Sequence, residues 1–75
     1  MLKRQKYPMS PDIRIALQKS GLMTRYNERP PYQRNDYIGW IMRAKRKETR
    51  SKRLAQMIRE LREGGVYMNM KWRAK

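Results

Sequence analysis

The sequence contains neither cysteine nor histidine among its 75 residues. Without cysteine there are no disulfide bonds and no thiolate metal sites. Without histidine the chain lacks the commonest metal ligand and the usual proton shuttle at neutral pH. The carboxylates are few and scattered, and no two of them look assembled for acid–base catalysis: Asp12, Glu28, Asp36, Glu48, Glu60 and Glu63. We therefore predict a protein that is not an enzyme and has no catalytic residues, no cofactor and no metal site.

Long hydrophobic runs are also missing, because the longest apolar stretch spans only a few residues. No transmembrane helix is expected from such a sequence. The basic start, residues 1–6, is followed by Tyr7-Pro8 and not by the apolar segment of a signal peptide. The expected location is therefore the cytoplasm.

What the chain has in excess is positive charge. Twenty Lys and Arg against six acidic residues give a net charge of +14. Charge of this density favours anionic partners such as nucleic acid, anionic lipid or an acidic protein, although it also keeps a small protein soluble. Five Tyr and two Trp, with 39% hydrophobic residues overall, distinguish the chain from a disordered basic tail. At this length it forms one domain with a thin core.

Three helical segments are predicted before the most basic part of the chain. Ser10 as N-cap, then proline and an acidic residue, start a helix over 11–19 that Gly21 ends. Apolar positions within 22–28 fit one or two helical turns. A double proline then starts a third helix, predicted over 31–46.

A fourth helix has the clearest amphipathic pattern of the chain. Thr49 is its predicted N-cap, and Gly64-Gly65 ends it. Its apolar residues follow the spacing i, i+3, i+4, i+7: Leu54, Met57, Ile58 and Leu61. They are expected to pack on one face of the third helix, formed by Tyr37, Trp40, Ile41 and Ala44, with Ile38 at its edge. Gly39 is predicted on the opposite face, towards water.

The predicted fold class is all-α, a small bundle of three to four helices with a basic N-terminal arm and an extended C-terminal arm. The arm over 1–9 is expected to be flexible, and the helical domain covers 10–65. In 66–75 apolar and polar residues alternate with a period of two, yet the sequence offers no partner strand. We interpret this segment as an extended arm whose apolar side lies along the helices.

The candidate site is a basic cluster at the junction of the third and fourth helices. Seven of the eleven residues between 43 and 53 are Lys or Arg, and free backbone amides at a helix start add to their attraction for anions. The candidate anion- or partner-binding residues are Arg43, Lys45, Arg46, Lys47, Thr49, Arg50, Lys52 and Arg53. An ordinary solvated face remains an equal alternative.

Arg50 has a structural alternative as well. Helical phase points Arg50 towards the third helix, which favours an internal partner over a ligand. The candidate partners are Glu48, Asp36 and the last carbonyls of the third helix.

Two helices around a basic turn also resemble a helix-turn-helix. Arg50, Lys52, Arg53 and Gln56 would then face DNA, which supports phosphate contact but does not establish base readout.

The run 37–54 resembles a known family through elements at fixed distances from a tryptophan: Trp40-Ile41, Ala44-Lys45-Arg46, Glu48-Thr49-Arg50 and Arg53-Leu54. It is similar to the C-terminal signature of the YdeI/OmpD-associated family, also called bacteriocin-protection proteins. The resemblance covers most of 11–63 and implies a compact helical module linked to envelope stress or to resistance against bacteriocins. It implies no catalytic residues. Two positions depart from the family pattern, Lys47 in place of a frequent proline and Gly39 in place of a longer polar residue.

The leading hypothesis is a non-enzymatic interaction module that engages an acidic protein or another polyanion through the surface of 43–53. The alternative is a small nucleic-acid-binding protein. A third hypothesis is a structural adaptor whose charge only solubilises it.

Overall fold

The structure, a computed structural model, describes residues 7–72 of the chain. Its elements are α1 (Pro11–Ser20), α2 (Met23–Glu28), α3 (Pro31–Met42), α4 (Lys47–Glu63), β1 (Val66–Tyr67) and β2 (Met70–Lys71). The predicted all-α class, a small bundle with four helices, is confirmed. None of the helices within 7–72 has the length and apolar character needed to cross a membrane.

The first helix forms where its capping signals predict it. Ser10 adopts the extended conformation of an N-cap, but its hydroxyl accepts no hydrogen bond from the first amides of α1 and instead donates to the Asp12 carboxylate. At the other end Gly21 has a φ of 71°, and the next amide, of Leu22, bonds the Leu17 carbonyl at 3.0 Å. This left-handed C-cap stops α1 and turns the chain into α2.

The junction between α3 and α4 differs from the prediction. The third helix ends at Met42 and not at residue 46, and α4 begins at Lys47, which places Thr49 inside its first turn. Arg46, and not Thr49, is the N-cap. The Arg53 guanidinium provides the physical reason, because it donates to the Trp40 carbonyl at 2.7 Å, where a continuing helix would use the amide of residue 44.

The core lies where α1, α3 and α4 meet. Its fully or nearly fully buried residues are Ile13, Leu17, Leu22, Tyr26, Tyr37, Ile38, Ile41, Met57 and Leu61. Leu54, Ile58 and Trp40 are partly buried against them. The phase predicted for both helices is confirmed for these residues, with Ile38 deeper in the core than expected. Ala44 is the exception, because it lies beyond the end of α3 and is not part of the core. Each fully buried apolar side chain contributes about 1.5–3 kcal/mol.

Gly39 does not face water as predicted. It is buried, because the ring of Tyr7 lies against it, and a Cβ at this position would approach the Tyr7 Cε2 atom to 2.6 Å. The Tyr7 amide also donates to the Asn35 side-chain oxygen at 2.9 Å. The chain just before α1 is thus packed along α3, whereas residues 1–6 of the predicted arm lie outside the described residues.

The C-terminal segment is a hairpin and not a single extended arm. Val66 pairs with Lys71 and Tyr67 with Met70 in an antiparallel register. Met68 and Asn69 connect the strands with φ values of 49° and 64°, the conformation of a two-residue hairpin turn. This turn could not be predicted from the sequence, because turns of this kind usually contain a glycine and the alternating pattern fits one strand or two equally well. Residues 73–75 lie outside the described part of the chain.

Candidate functional site

The predicted basic cluster separates into two groups with different surroundings. Arg43, Arg50 and Arg53 contact other parts of the fold. Lys45, Arg46, Lys47 and Lys52 are exposed, and none of their side chains has a hydrogen-bond or ion-pair partner within residues 7–72. We call these four residues the junction surface. Thr49 lies half-buried in the first turn of α4.

Arg50 is an internal clamp, as its phase predicts, but its partners are Asp12 and Ser10. The guanidinium Nε donates to Asp12 Oδ2 at 2.8 Å, while Nη2 donates to Asp12 Oδ1 and to the Ser10 hydroxyl oxygen, each at 3.0 Å. These bonds hold the start of α4 against the start of α1. Hydrogen bonds from Arg50 and then from Ser10 hold the pKa of the Asp12 carboxyl well below its usual range, and the pKa of Arg50 is raised in return.

Arg53 and Arg43 cover aromatic rings. The Arg53 guanidinium carbon lies 5.2 Å from the centre of the Trp40 ring while its Nη1 caps the end of α3. The Arg43 guanidinium lies 6.0 Å from the Tyr7 ring and donates to the Tyr7 hydroxyl at 3.4 Å. Both arginines therefore have a structural role that explains their positions without a ligand.

The junction surface has no comparable structural role. Its four side chains extend from the turn between α3 and α4 and from the first turns of α4, with Glu48 as an acidic neighbour. Unpaired cations on one side of a small fold produce a positive potential that attracts anions. No group of His, Cys, Asp and Glu within 7–72 is arranged to hold a metal ion. What the junction surface offers chemically is electrostatic attraction and hydrogen-bond donation to a polyanion.

Most of the side chains that a helix-turn-helix would use to contact bases are engaged within the fold. Of the four candidates on α4, Arg50 and Arg53 are engaged internally, and Gln56 donates to Glu60 Oε2 at 3.0 Å. Lys52 alone of the four is exposed and without a partner among the described residues. Contact with phosphates remains open to this surface, but the side chains needed to read base edges are occupied.

A buried polar cluster at the far end of α4 was missed from the sequence. Glu60 is completely buried and accepts hydrogen bonds from the Tyr37 hydroxyl, the Gln56 side chain and the backbone amides of Met68 and Asn69, the last two at 2.8 Å each. Burial alone would raise the pKa of Glu60, but these hydrogen bonds outweigh it and the pKa falls below its usual value. The sequence contains one signal for it, since Glu60 shares the core phase of Met57 and Leu61.

Arg29, which is itself buried, connects this cluster to Trp72. Its guanidinium donates to the Gln33 side-chain oxygen and to the Glu60 carbonyl, each at 3.1 Å, and lies 4.4 Å from the centre of the Trp72 ring. Beside it, Arg25 donates to the Leu61 and Arg62 carbonyls at 3.3 and 2.5 Å. An open cleft of about 350 Å³ lies here, lined by Arg25, Glu28, Arg29, Leu61, Gly64 and Trp72. Both arginines donate to carbonyls at the end of α4, and Trp72, just after the hairpin, lines the cleft beside them. The cleft therefore lies where the hairpin packs against the helices, and its arginines have structural roles.

Within residues 7–72, four helices, a docked hairpin and a cationic helix junction define a small helical module with a basic surface. The chain belongs to the YdeI/OmpD-associated bacteriocin-protection family, because the sequence profile of that family, described as bacteriocin-protection, YdeI or OmpD-associated, matches residues 6–64. The match includes every residue of the basic cluster and ends with α4, before the hairpin begins. The suspected resemblance is thereby confirmed. No curated protein and no solved structure matches the chain significantly.

Proposed function

We propose that this protein is a non-enzymatic interaction module that engages an anionic partner through the junction surface. The observation that carries the proposal is the division of the basic cluster. Three of its arginines are explained by contacts within the fold, whereas Lys45, Arg46, Lys47 and Lys52 have no such explanation. Like charges held together at one end of a helix repel each other, which favours a partner of opposite charge.

The proposal assigns no catalytic role to the carboxylates with perturbed pKa values. Asp12 is held by Arg50 and Ser10, and Glu60 is held by donors from α3, α4 and the hairpin. Perturbed pKa values often indicate active sites, but structural hydrogen-bond networks produce them too. In each of these two cases the hydrogen bonds connect separate elements of the fold, which supports a structural origin.

The family name adds a biological setting to this proposal. A module that binds polyanions would act in protection against bacteriocins by associating with an acidic macromolecule, and we place this action in the cytoplasm. The charge and exposure of the junction surface support the binding step, while the family supports the setting.

The experiment is a titration at low and at moderate salt. The probes are duplex DNA, duplex RNA, polyglutamate, vesicles that contain phosphatidylglycerol and neutral phosphatidylcholine vesicles. We expect salt-sensitive binding to at least one anionic probe and none to neutral vesicles, since screening weakens contacts between exposed charges. The variant Lys45→Gln/Lys47→Gln should bind more weakly than Arg14→Gln/Lys19→Gln, which removes the same charge from the exposed side of α1. Absence of binding to every anionic probe at low salt, or equal weakening by both variants, would overturn the proposal.

A further inference from the structure

Three cations lie along the exposed side of α4, beginning with Lys52 of the junction surface. Lys52, Arg59 and Arg62 are exposed at spacings of seven and three residues, which places them on one side of the helix. The helix has 17 residues, so this side is about 25 Å long. The acidic residues on it, Glu48 and Glu63, stand near its two ends. We call Lys52, Arg59 and Arg62 the cationic stripe.

Small residues occupy the space between these cations. Ser51 and Ala55 are exposed on the same side of α4, between the first turn and Arg59. Long side chains would keep a partner at a distance, whereas serine and alanine allow a backbone to approach the helix closely. The stripe is therefore a row of exposed cations separated by small side chains, in which Arg59 also donates to the Asn69 side-chain oxygen at 3.1 Å.

The stripe lacks what a protein partner would need. Stable protein interfaces are centred on buried apolar or aromatic anchors, with charges around the rim. The large hydrophobic residues exposed within 7–72 are Ile15, Tyr32, Met42 and Met70, and none of them belongs to α4. An acidic protein would find charge on the outer side of α4 but no anchor, whereas a phosphodiester backbone needs no apolar anchor.

The aromatic side chains also argue against a single strand as the partner. Single strands are bound by stacking bases on open aromatic faces. Here Tyr7, Trp40 and Trp72 each have an arginine guanidinium over the ring, and Tyr37 is completely buried. Tyr67 makes edge contacts with the rings of Tyr32 and Tyr37. These aromatic residues are thus committed to the fold, and none belongs to α4.

From these observations we infer that the cationic stripe binds the phosphate backbone of duplex DNA without reading its sequence. The inference rests on the proposed function and names its partner. A duplex presents one phosphate charge per about 1.7 Å of its axis, so a dense row of anions faces the full length of α4. The internal bonds of Arg50, Arg53 and Gln56 remove the side chains that would read base edges. Binding is therefore electrostatic and independent of base sequence.

The test is the salt dependence of binding to short duplexes of two unrelated sequences, measured by fluorescence anisotropy. Each phosphate contact contributes about 0.9 to the log–log slope, so the three cations of the stripe give a slope of about 2.7 and a loss of roughly fortyfold in affinity between 50 and 200 mM salt. The variant Lys52→Gln/Arg62→Gln should reduce the slope by about 2. Both positions are exposed on α4, and neither side chain has a partner among the described residues, so the fold should be unaffected.

The control is Arg14→Gln/Lys19→Gln, which removes the same charge from α1 and should leave the slope almost unchanged. Equal slopes for the two variants would show diffuse attraction and overturn the inference, as would a strong preference for one duplex sequence. Failure of duplex binding, with binding of polyglutamate or anionic vesicles that depends on Lys52 and Arg62, would overturn the DNA partner but leave the proposed function intact. Failure of every anionic probe would overturn both.

Discussion

Both ends of α4 are held by contacts to a carboxylate, but the two carboxylates differ in burial and in the charge of their donors. At its start, Arg50 holds Asp12 of α1 through side chains that are 29% and 48% exposed. Near its end, Glu60 is completely buried and holds the turn of the hairpin through two backbone amides. Water can replace the first set of contacts if it is broken, but it has little access to the second.

The Arg50–Asp12 pair aligns two helices, whereas the position of the hairpin depends on the contacts of Glu60. Exposed ion pairs contribute roughly 0–1 kcal/mol, because water and salt compete for both partners. A buried acceptor is different, because its loss leaves each donor without a partner at a cost of about 1–3 kcal/mol. The hairpin has strands of only two residues, and such a hairpin is marginal by itself. Its position therefore depends on Glu60 and on the rings that Tyr67 contacts.

The largest effect is expected for Glu60→Ala. This change removes the acceptor of the Tyr37 hydroxyl and of the amides of Met68 and Asn69, and it should lower the free energy of unfolding by about 3–5 kcal/mol. Hydrogen exchange at the two amides should accelerate more than exchange in α1. The matched control is Glu63→Ala, an exposed acid on the same helix, with an expected change within about 0.5 kcal/mol. Similar melting curves for the two variants would show that burial does not separate the two ends of α4.

Local patterns in the sequence predicted most of the helical fold. The capping residues around Pro11 and Gly21 and the spacing of Leu54, Met57 and Leu61 each act within a few residues along the chain. The start and end of α1 and the core side of α4 could therefore be predicted. The end of α3 could not, because a side chain thirteen residues further along, Arg53, takes the Trp40 carbonyl.

Long-range polar contacts account for what the sequence left open at the candidate site. An internal partner for Arg50 followed from helical phase, but the choice of Asp12, 38 residues away, depends on how α1 packs on α4. The same packing decides which members of the basic cluster remain exposed. Glu60 had the phase of a core residue, yet its role became visible only with the hairpin turn against it. The basic cluster of 43–53 could be predicted from the sequence. Which of its members are engaged within the fold and which are exposed depends on tertiary contacts.

Acid should destabilise the protein through both carboxylates. Hydrogen bonds lower the pKa of Asp12 and of Glu60 in the folded state, whereas the unfolded chain has the ordinary values of about 3.9 and 4.3. The stabilisation is complete above those ordinary values and is lost as the pH falls through the lower values of the folded state. Chemical denaturation between neutral pH and pH about 3 should show the free energy of unfolding falling below pH about 5.

Two variants divide the acid response between the ends of α4. Asp12→Asn should remove only the part contributed by the exposed end, and Glu60→Gln the part contributed by the buried end. A pH profile of Glu60→Gln that follows the wild type would contradict the role given to the buried carboxylate.

An intermediate effect is expected for Tyr37→Phe. The change keeps the buried ring and removes one donor to the Glu60 carboxylate, and hydrogen bonds to charged groups contribute about 1.5–3 kcal/mol. The pKa of Glu60 should rise, because the Tyr37 hydroxyl is one of the groups that lower it. NMR titration of the Glu60 carboxyl carbon measures this shift, with Tyr67→Phe as the control, since its hydroxyl donates to Asp36. An unchanged pKa would show that the hydroxyl does not stabilise the buried carboxylate.

The smallest effect is expected for Arg50→Ala, at the exposed end of α4. Its bonds to Asp12 and Ser10 are partly exposed, so the free energy of unfolding should fall by about 0.5–1 kcal/mol. Because the pair is screened by salt, the difference from the wild type should shrink at high ionic strength, unlike that of Glu60→Ala. Asp12→Ala should have a similar effect, and the double variant should fall short of the sum of the two, since both remove the same contact. Additive losses would show that the contact between Arg50 and Asp12 contributes no coupling energy. A loss for Arg50→Ala as large as that for Glu60→Ala would mean that the pair is no weaker than the buried cluster despite its exposure.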